Sequence, residues 1–510
     1  MIIAKTIMLQ GTSSHVGKSI LTTALCRILK QDGYSVTPFK AQNMALNSYV
    51  TKTGGEMGRA QVAQAEAAGL DPAVEMNPVL LKPTGNSTSQ VIIMGRSVGV
   101  MSAREYHTKY SLTALDKIKQ CLGTLHERFE TIVIEGAGSP AEVNLKANDI
   151  VNMRIAKLAP APVLLVADID RGGALAAVVG TLELLEAEER ALVKGIIINK
   201  FRGDITLLQP ALEFLEQKTG KPVIGVVPHL DQLGIDDEDS VSLDEKTSVP
   251  GGAIDIAVLQ TPKISNFTDF AALAAENDVT VRYVRQGDTI GAPDLLILPG
   301  SKNTTEDLLY LKKQGYADEI TALASQGIPI VGICGGYQML GRLIQDPDHT
   351  ESSHVEVAGL GLLPAVTTFA ADKITHQVSA LAKSHPFLEL DYTADSLTGY
   401  EIHMGRTEFL EPVNPAFTIA SRSGQTVQAA DGAVSPNGMV MGTYLHGIFD
   451  NDSYRLAVLN ALRVRKGLAA VEAVTVAKDR KEASYDRLAK TVRESLNMKL
   501  LYSIMGIPHG

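Results

Sequence analysis

The chain alternates short apolar runs with longer stretches in which apolar residues recur at helical spacing. In the first half, apolar runs bounded by Gly and Pro occupy Thr6–Gln10, Thr131–Glu135, Pro162–Asp168, Gly195–Asn199 and Pro222–Val227. Runs of this length that are apolar throughout are typical of parallel strands buried on both faces. The Ala- and Leu-rich stretches between them, such as Ser19–Lys30 and Gly173–Glu186, have the spacing of helices that face a core. This alternation predicts a doubly wound α/β sheet.

The same pattern begins again after residue 250. Apolar runs at Ile254–Leu259, Leu295–Leu298 and Ile328–Ile333 alternate with helical segments and predict a second, mostly parallel sheet. An acidic and then Pro/Gly-rich stretch before them is typical of a linker, and the last residues are charged, amphipathic and poor in strand signals. The predicted fold class is therefore α/β with two doubly wound domains. We expect a first domain at 1–235, a linker at 236–250, a second domain at 251–452 and a helical tail at 453–510.

Composition narrows the class of function. The net charge of −10 at pH 7 argues against nucleic acid as a partner, because phosphate backbones require a basic face. No apolar stretch is long enough to span a bilayer, so a membrane is not expected either. Three widely spaced Cys form neither a disulfide framework nor a metal-ligand pattern. These features predict a cytoplasmic protein that acts on small molecules, and they leave its oligomeric state open.

A glycine loop follows the first strand and opens the first helix. In that position backbone N–H groups cradle phosphate oxygens, which predicts nucleotide binding by five residues of the loop: Gly11, Thr12, Gly17, Lys18 and Ser19. Lys18 would reach the β- and γ-phosphates and Ser19 would ligate Mg²⁺, so the predicted cofactors are ATP and Mg²⁺. Five residues separate Gly11 from Gly17, one more than in the usual phosphate loop. This longer loop resembles that of dethiobiotin synthetase and its relatives, which phosphorylate a carboxylate; a Gly/Ser-rich turn is the alternative.

Three further polar residues are candidates for the nucleotide site. Mg²⁺ takes oxygen ligands, and Glu135 ends an apolar strand at the edge of the sheet where such folds bind ligands. Glu56, in a glycine-rich stretch, is a second candidate metal ligand, or else a solvated loop carboxylate. Asn199 ends another strand and could bind an adenine edge or cap the strand.

A candidate nucleophile lies in the second half. Cys334 stands between glycines directly after a strand, which is the spacing of a nucleophile elbow, whereas Cys26 and Cys121 have the setting of core residues. His446, far downstream after an apolar run, is the predicted base, and His403 is its main competitor. Backbone N–H groups at Gly300 and Gly335 are the predicted oxyanion hole, with a plain surface turn as the alternative at Gly300.

Several longer motifs carry a resemblance over nearly the whole chain. They are Pro38–Ser48, Met57–Gln61, Asn77–Pro83, Val166–Gly173, Ile264–Asp269 and the stretches around Cys334 and His446. In these motifs the chain resembles the cobyric acid synthases, the glutamine-dependent amidotransferases of cobalamin biosynthesis. The resemblance implies that ATP and glutamine are used to amidate four peripheral carboxylates (b, d, e and g) of adenosylcobyrinic acid a,c-diamide through acyl phosphates. The residues that could then orient the corrin side chains, or else cap strands and turns, are Gln42, Asn43, Asn47, Asp168, Asp170 and Arg171.

The chain departs from other glutaminases at one position. Triad glutaminases commonly have Glu two residues after the catalytic His, and this chain has Ile448 there. The group that orients His446 is therefore open, with Asp450 or a backbone carbonyl as candidates. Three alternatives remain for the function as a whole: a cobyrinic acid a,c-diamide synthase, a partitioning-type P-loop ATPase, and an enzyme whose second domain only binds.

Overall fold

The computed structural model describes residues 4–85, 87–106, 110–230, 234–235, 243, 251–382, 386–390 and 392–508. The chain divides into two compact units. The first unit comprises Met1–Ala45, Met57–Ile235 and Lys481–Gly510, and the second comprises Leu46–Glu56 and Asp236–Arg480. Of the predicted linker at 236–250, only Leu243 lies among the described residues.

Two segments depart from the division that the sequence predicts. Residues 46–56 lie inside the predicted first domain but pack in the second unit. The predicted tail at 453–510 is shared, since 453–480 pack in the second unit and 481–510 in the first. Composition changes at neither point, and the apolar faces of the tail helices decide where each one packs.

The first unit is built on a six-stranded sheet in which every strand is parallel to its neighbours. In spatial order its strands are Val223–Pro228, Val193–Phe201, Val163–Asp168, Lys5–Gly11, Thr131–Glu135 and Val36–Phe39. Successive residues of these strands alternate between two hydrophobic clusters, with Met8 and Ile132 on one face and Ile7 and Val133 on the other. Both faces are covered, which confirms the predicted doubly wound sheet.

Helices cover both faces of this sheet. They are Lys18–Gln31, Arg59–Ala67, Ala103–Glu105, Ser111–Arg128, Met153–Leu158, Ala174–Leu184, Ala187–Leu192, Ile205–Thr219 and Met498–Met505, with 3₁₀ turns at Val74–Met76 and Lys146–Asn148. The helix Ala477–Ser495 begins in the second unit and continues in the first. A smaller four-stranded sheet, which the sequence did not predict, contains Gln42–Met44, Val79–Pro83, Thr88–Ile93 and Arg96–Ser102.

The second unit has its own six-stranded sheet. In spatial order its strands are Val279–Val284, Ile254–Leu259, Leu295–Leu298, Ile330–Ile333, Val440–Thr443 and Ala433–Val434. Only the last pair is antiparallel, which confirms a second, mostly parallel α/β domain. The surrounding helices are Thr304–Lys313, Tyr316–Ser325, Gly335–Leu340 and Asp452–Arg465, and the 3₁₀ turns are Phe267–Phe270, Leu273–Ala275, Phe387–Glu389 and Ile448–Asp450. Within the described part of the chain, no helix of either unit combines the length and apolar character needed to cross a bilayer.

A second sheet of this unit was not predicted. Two long antiparallel strands, Ala365–Ala382 and Ala394–Phe409, form its centre. The other strands are Glu356–Ala358, Leu343–Gln345, Phe417–Arg422 and Gln425–Asp431. A short antiparallel pair, Ile264–Ser265 with Gly300–Ser301, and the strand Ser48–Val50 complete the unit.

Candidate active site

The phosphate loop of the first unit lies between the strand Lys5–Gly11 and the helix Lys18–Gln31. Gly17 precedes the helix with φ 95°, a backbone conformation that favours glycine. The Lys18 ammonium is buried, and its Nζ donates to the carbonyl oxygens of Ser13 at 3.1 Å and Gly138 at 3.0 Å. Lys18 is therefore folded over the loop, where a phosphate could replace these carbonyls as its partner.

Two other predicted loop residues are placed by the sheet. The Thr12 N–H donates to the Val166 carbonyl at 2.9 Å, which joins the start of the loop to the neighbouring strand. Asn199 is buried, and its Nδ2 donates to the Val16 carbonyl at 2.7 Å. Asn199 thus braces the loop through its amide, and contact with adenine stays a prediction.

Glu135 is at the centre of a buried polar cluster at the carboxyl end of its strand. Its carboxylate accepts from Ser19 Oγ at 2.8 Å, from Lys40 Nζ at 2.8 Å and from Gln64 Nε2 at 2.6 Å. The predicted pair of Ser19 and Glu135 is therefore brought together. Sequence reasoning missed Lys40 and Gln64, although Lys40 lies inside the quoted motif Pro38–Ser48.

The residues of this cluster fit a magnesium ion that is bound together with a triphosphate. A hydroxyl and a carboxylate oxygen, 2.8 Å apart, are ligands that Mg²⁺ accepts. Among the described residues no group of three or more His, Cys, Asp and Glu could hold a metal alone, so phosphate and water oxygens would have to supply the other ligands. Glu56, the second predicted ligand, is buried in the second unit and pairs with Lys373 Nζ at 2.6 Å.

The residues predicted to orient the corrin side chains come from two stretches of the chain. Gln42 accepts from the Tyr106 hydroxyl at 2.5 Å, and Asn43 Nδ2 donates to Gln61 Oε1 at 2.8 Å. Asn47 is fully buried and belongs to the second unit.

The remaining three candidates for the corrin lie close together in sequence. Asp168 pairs with Lys200 at 3.0 Å, and Asp170 pairs with Arg202 at 3.4 Å. The side chain of Arg171 is 60% exposed, so Arg171 is the most accessible of these residues to a large ligand.

The predicted nucleophile of the second unit lies on a strained turn. Cys334 follows the strand Ile330–Ile333 and precedes the helix Gly335–Leu340 with φ 52° and ψ −107°. A Cβ on Gly336 would lie 2.0 Å from the Leu298 carbonyl oxygen, so only glycine allows the helix to start this close to the neighbouring strand. Such strain is typical of nucleophile elbows, where the turn holds the sulfur at the start of a helix.

The predicted base is oriented by a carboxylate that sequence reasoning missed. His446 Nδ1 donates to Asp269 Oδ2 at 2.7 Å, and the second carboxylate oxygen accepts from the Gly447 N–H at 3.0 Å. Both side chains are almost fully buried. Neither Asp450 nor a backbone carbonyl is the partner of Nδ1. The only sequence signal was that Asp269 ends one of the quoted motifs, Ile264–Asp269.

This arrangement favours the protonated form of His446. Burial alone lowers its pKa, but the charge and hydrogen bond of Asp269 and the nearby Cys334 sulfur outweigh that effect and raise the pKa to about 10. His446 Nε2 makes no hydrogen bond of ordinary geometry among the described residues. Catalytic hydrogen bonds of ligand-free enzymes are often poorly aligned in this way.

The two glycines of the predicted oxyanion hole lie beside this pair. A Cβ on Gly300 would be 3.1 Å from His446 Cε1, and a Cβ on Gly335 would be 2.8 Å from the Ser301 amide nitrogen. The turns after two adjacent strands therefore meet beside His446 and at the residue that follows Cys334. Stabilisation of an oxyanion by these amides stays a prediction.

His403, the competing base, has a different environment. Its ring stacks on Tyr444 with centroids 3.7 Å apart, and its Nδ1 donates to the Gly405 carbonyl at 2.8 Å. Burial lowers its pKa to about 4, so the ring is neutral near pH 7. Among the residues that the structure describes, no carboxylate accepts a hydrogen bond from this ring, which favours His446 as the base.

Two family models match successive parts of the chain. Residues 7–242 match the model of the CobQ/CobB/MinD/ParA nucleotide binding domain, and residues 255–454 match that of the CobB/CobQ-like glutamine amidotransferase domain. The solved structure of PurLQS from Thermotoga maritima is 18% identical, covers 46% of this chain and 98% of its own, and has a TM-score of 0.31, too low to support an argument.

Full-length relatives are far more similar. The cobyric acid synthase of Pelotomaculum thermopropionicum is 58% identical over 99% of this chain and 97% of its own. That of Desulforamulus reducens is 55% identical over the whole of both chains. That of Moorella thermoacetica is 56% identical over 99% of this chain and 98% of its own. The chain joins a nucleotide-binding domain to a glutamine amidotransferase domain and belongs to the cobyric acid synthase family.

Proposed function

We propose that this protein uses ATP, Mg²⁺ and glutamine to amidate the b, d, e and g carboxylates of adenosylcobyrinic acid a,c-diamide. The observation that carries the proposal is the buried set of Cys334, His446 and Asp269 in a chain that also has a phosphate loop with Ser19 against Glu135. The first set suits thiol-based hydrolysis of a carboxamide, and the second suits phosphoryl transfer to a carboxylate. Family membership supports the corrinoid as acceptor.

The second unit would release ammonia from glutamine. The proton of the Cys334 thiol passes to His446, whose protonated form the site favours, and the thiolate attacks the carboxamide carbon to give a tetrahedral oxyanion. The same proton passes from His446 to the leaving nitrogen, so ammonia departs and a thioester remains. Water then hydrolyses the thioester to glutamate and regenerates the thiol. Asp269 holds the ring orientation and stabilises the imidazolium throughout.

The first unit would activate the acceptor. A corrinoid carboxylate attacks the γ-phosphorus of ATP, ADP leaves, and the acyl phosphate is then displaced by ammonia to give the amide and inorganic phosphate. Lys18 can move from the Ser13 and Gly138 carbonyls to the transferring phosphoryl oxygens. Bound Mg²⁺ supplies further positive charge to the phosphate oxygens. Lys40 keeps the buried Glu135 carboxylate paired.

A labelling experiment tests this function. The protein is incubated with ATP, Mg²⁺, the diamide corrinoid and glutamine that carries ¹⁵N in its amide, and the product is read by mass spectrometry. We expect four labelled nitrogens per corrinoid. The Cys334→Ala variant should incorporate none from glutamine but four from ¹⁵N-ammonium. Two incorporated nitrogens, or equal loss with both donors, would contradict the proposal.

A further inference from the structure

An eleven-residue segment of the second unit comes from the first half of the chain. This segment, Leu46–Glu56, is called the strap below. Both of its ends continue directly into the first unit, since Ala45 precedes it and Met57 follows it. Its residues Asn47, Ser48, Val50, Thr51 and Glu56 are nearly or fully buried, whereas Lys52 and Thr53 are exposed, so the strap is packed on both sides of an exposed turn.

One long strand of the second unit fastens the strap. Side chains of the strand Ala365–Ala382 make three polar contacts with it. Gln377 Nε2 donates to the Val50 carbonyl, Thr375 Oγ1 donates to the Gly54 carbonyl at 2.9 Å, and Lys373 pairs with Glu56 at 2.6 Å. Two of these contacts go to backbone oxygens, so they hold the path of the strap whatever its side chains are.

The other end of the strap joins a polar network that includes Asn266 and Tyr400. Asn266 Oδ1 accepts from the Ser48 N–H at 3.3 Å, and Asn266 Nδ2 donates to the Tyr400 hydroxyl at 3.2 Å. The same hydroxyl donates to the Ser48 carbonyl at 3.4 Å. The Tyr400 hydroxyl is thereby held between the strap and Asn266. The Tyr49 ring packs against Tyr400 from the strap, with centroids 5.3 Å apart.

Tyr400 in turn contacts the proposed base. Its ring stacks on the His446 imidazole, with centroids 5.1 Å apart and an interplanar angle of 16°. The backbones pair as well, because the His446 N–H donates to the Tyr400 carbonyl at 2.9 Å and the Tyr400 N–H donates to the His446 carbonyl at 3.2 Å. Asn266 immediately precedes the 3₁₀ turn that carries Asp269. The network therefore reaches both His446 and the carboxylate that orients it, Asp269.

We propose that Tyr400 is a positioning residue for His446 and that the strap, by holding the Tyr400 hydroxyl, sets the orientation of the imidazole toward Cys334. The inference rests on the proposed glutaminase function of the second unit. Asp269 fixes one edge of the ring, and a flat ring so fixed can still tilt about that hydrogen bond. Tyr400 covers one face of the imidazole and opposes that tilt. A segment from the first half of the chain thus contributes to the geometry of the glutaminase.

The first test removes only the hydroxyl. Tyr400→Phe keeps the stacked ring but loses the contacts to Ser48 and Asn266, and we expect kcat for glutamine hydrolysis to fall roughly tenfold with KM changed less than about twofold. Tyr392→Phe is the matched control, because it also removes one tyrosine hydroxyl contact in the same unit, the 2.8 Å bond with Ser453. We expect the control to retain the kcat of the unaltered protein.

A second test loosens the strap without touching Tyr400. The double variant Thr375→Val/Gln377→Leu removes the contacts to the Gly54 and Val50 carbonyls. We expect its kcat for glutamine hydrolysis to fall, as in Tyr400→Phe. In both variants alkylation of Cys334 by iodoacetamide, followed on its own peptide by mass spectrometry, should slow in parallel because a misaligned imidazole accepts the thiol proton less well.

Amidation with ammonium separates this inference from the proposed function. The strap and Tyr400 variants should keep ammonium-dependent amidation and the thermal unfolding profile of the Tyr392→Phe control. An unchanged kcat and Cys334 alkylation rate in Tyr400→Phe, or an equal loss in the control, would overturn the positioning role. Absence of amidation in the unaltered protein, with glutamine hydrolysis intact, would instead contradict the proposed function.

Discussion

At the scale of single residues, Asp269 is held by a hydrogen bond to each of its carboxylate oxygens. It accepts from the His446 ring through one oxygen and from the Gly447 amide through the other, so the carboxylate cannot rotate without losing a bond. A carboxylate in this position keeps a proton on Nδ1, so Nε2 is the nitrogen that takes up and returns the proton of the thiol. The catalytic set therefore needs Asp269 to be ionised and unable to donate.

The Asp269→Asn substitution tests that requirement. A carboxamide can present its NH₂ group to Nδ1, which would stabilise the opposite tautomer and remove the negative charge. We expect glutamine-dependent amidation to fall roughly a hundredfold or more, with ammonium-dependent amidation retained. Asp450→Asn is the control, since Asp450 is the acidic residue nearest to His446 in the sequence and does not bond its ring. Comparable losses in the two variants would show that Asp269 has no special role.

The pKa of His446 predicts a pH dependence of stability. Its ordinary pKa is 6.5, and the folded protein raises it to about 10 through Asp269 and Cys334 against the effect of burial. The folded state thus keeps a proton that the unfolded chain has lost, so this stabilisation is complete below pH 6.5 and disappears as the pH rises through about 10. The difference in unfolding temperature between the unaltered protein and His446→Gln should narrow over that interval. A constant difference would contradict the assignment.

Site residues that lie within a short sequence motif could be predicted, whereas those whose partner is distant in the sequence could not. Cys334 and Lys18 each follow a strand and precede a helix within a glycine-rich stretch, which is a signal contained in a few neighbouring residues. Asp269 lies 177 positions before His446, and Lys40 lies 95 positions before Glu135. Such pairs form only when the strands assemble, and no spacing in a single sequence encodes them.

At the scale of elements, the parallel sheets could be predicted from local sequence and the long antiparallel hairpin could not. The buried parallel strands were predicted because apolar side chains fill both of their faces. The long hairpin Ala365–Ala382 and Ala394–Phe409 was missed because Asp372, Lys373 and other polar residues in its middle interrupt the alternation of apolar and polar positions. The strands around the nucleophile and the phosphate loop were therefore predictable, and the sheet that fastens the strap was not.

The start of the helix Gly335–Leu340 gives a prediction at this scale. In Gly336→Ala the added methyl group would meet the Leu298 carbonyl oxygen at 2.0 Å, and backbone on both sides would have to move. We expect a loss of about 3 kcal/mol or more in the free energy of unfolding of the second unit. Gly123 lies in a helix, and nothing lies within 4 Å of a Cβ added there, so Gly123→Ala should raise the free energy of unfolding by up to about 1 kcal/mol. Denaturant titration of both variants measures the difference, and similar values would contradict the packing argument.

At the scale of the whole molecule, the last helices complete the core of the first unit. Leu488, Val492, Leu501 and Tyr502 belong to the same buried cluster as Ile7 and Leu9 of the central sheet. Ion pairs of Arg27 with Asp486 and of Asp32 with Arg493 attach the helix Ala477–Ser495 to the helix that begins at Lys18 and to its C-terminal end.

Truncation after Arg480 tests this contribution. Without 481–510 the apolar face of the Lys18–Gln31 helix would be exposed to water, and the phosphate loop would lose its support. We expect ATP binding and ammonium-dependent amidation to be lost, whereas glutamine hydrolysis by the second unit persists. Calorimetric titration with ATP and a glutamate assay measure the two activities. Retained ATP binding would show that the first unit folds without its last helices.

The strap and the last helices also determine what happens when the chain is cut. The backbone passes from one unit to the other four times, after Ala45, Glu56, Ile235 and Arg480. A protease that nicks the chain between 236 and 250 would leave an N-terminal fragment whose strap is buried in the second unit and a C-terminal fragment whose last helices are buried in the first. The two fragments would co-purify as a nicked complex. Separate expression of the halves would produce two incomplete cores, so a split version of this enzyme requires both pieces to fold in the same cell.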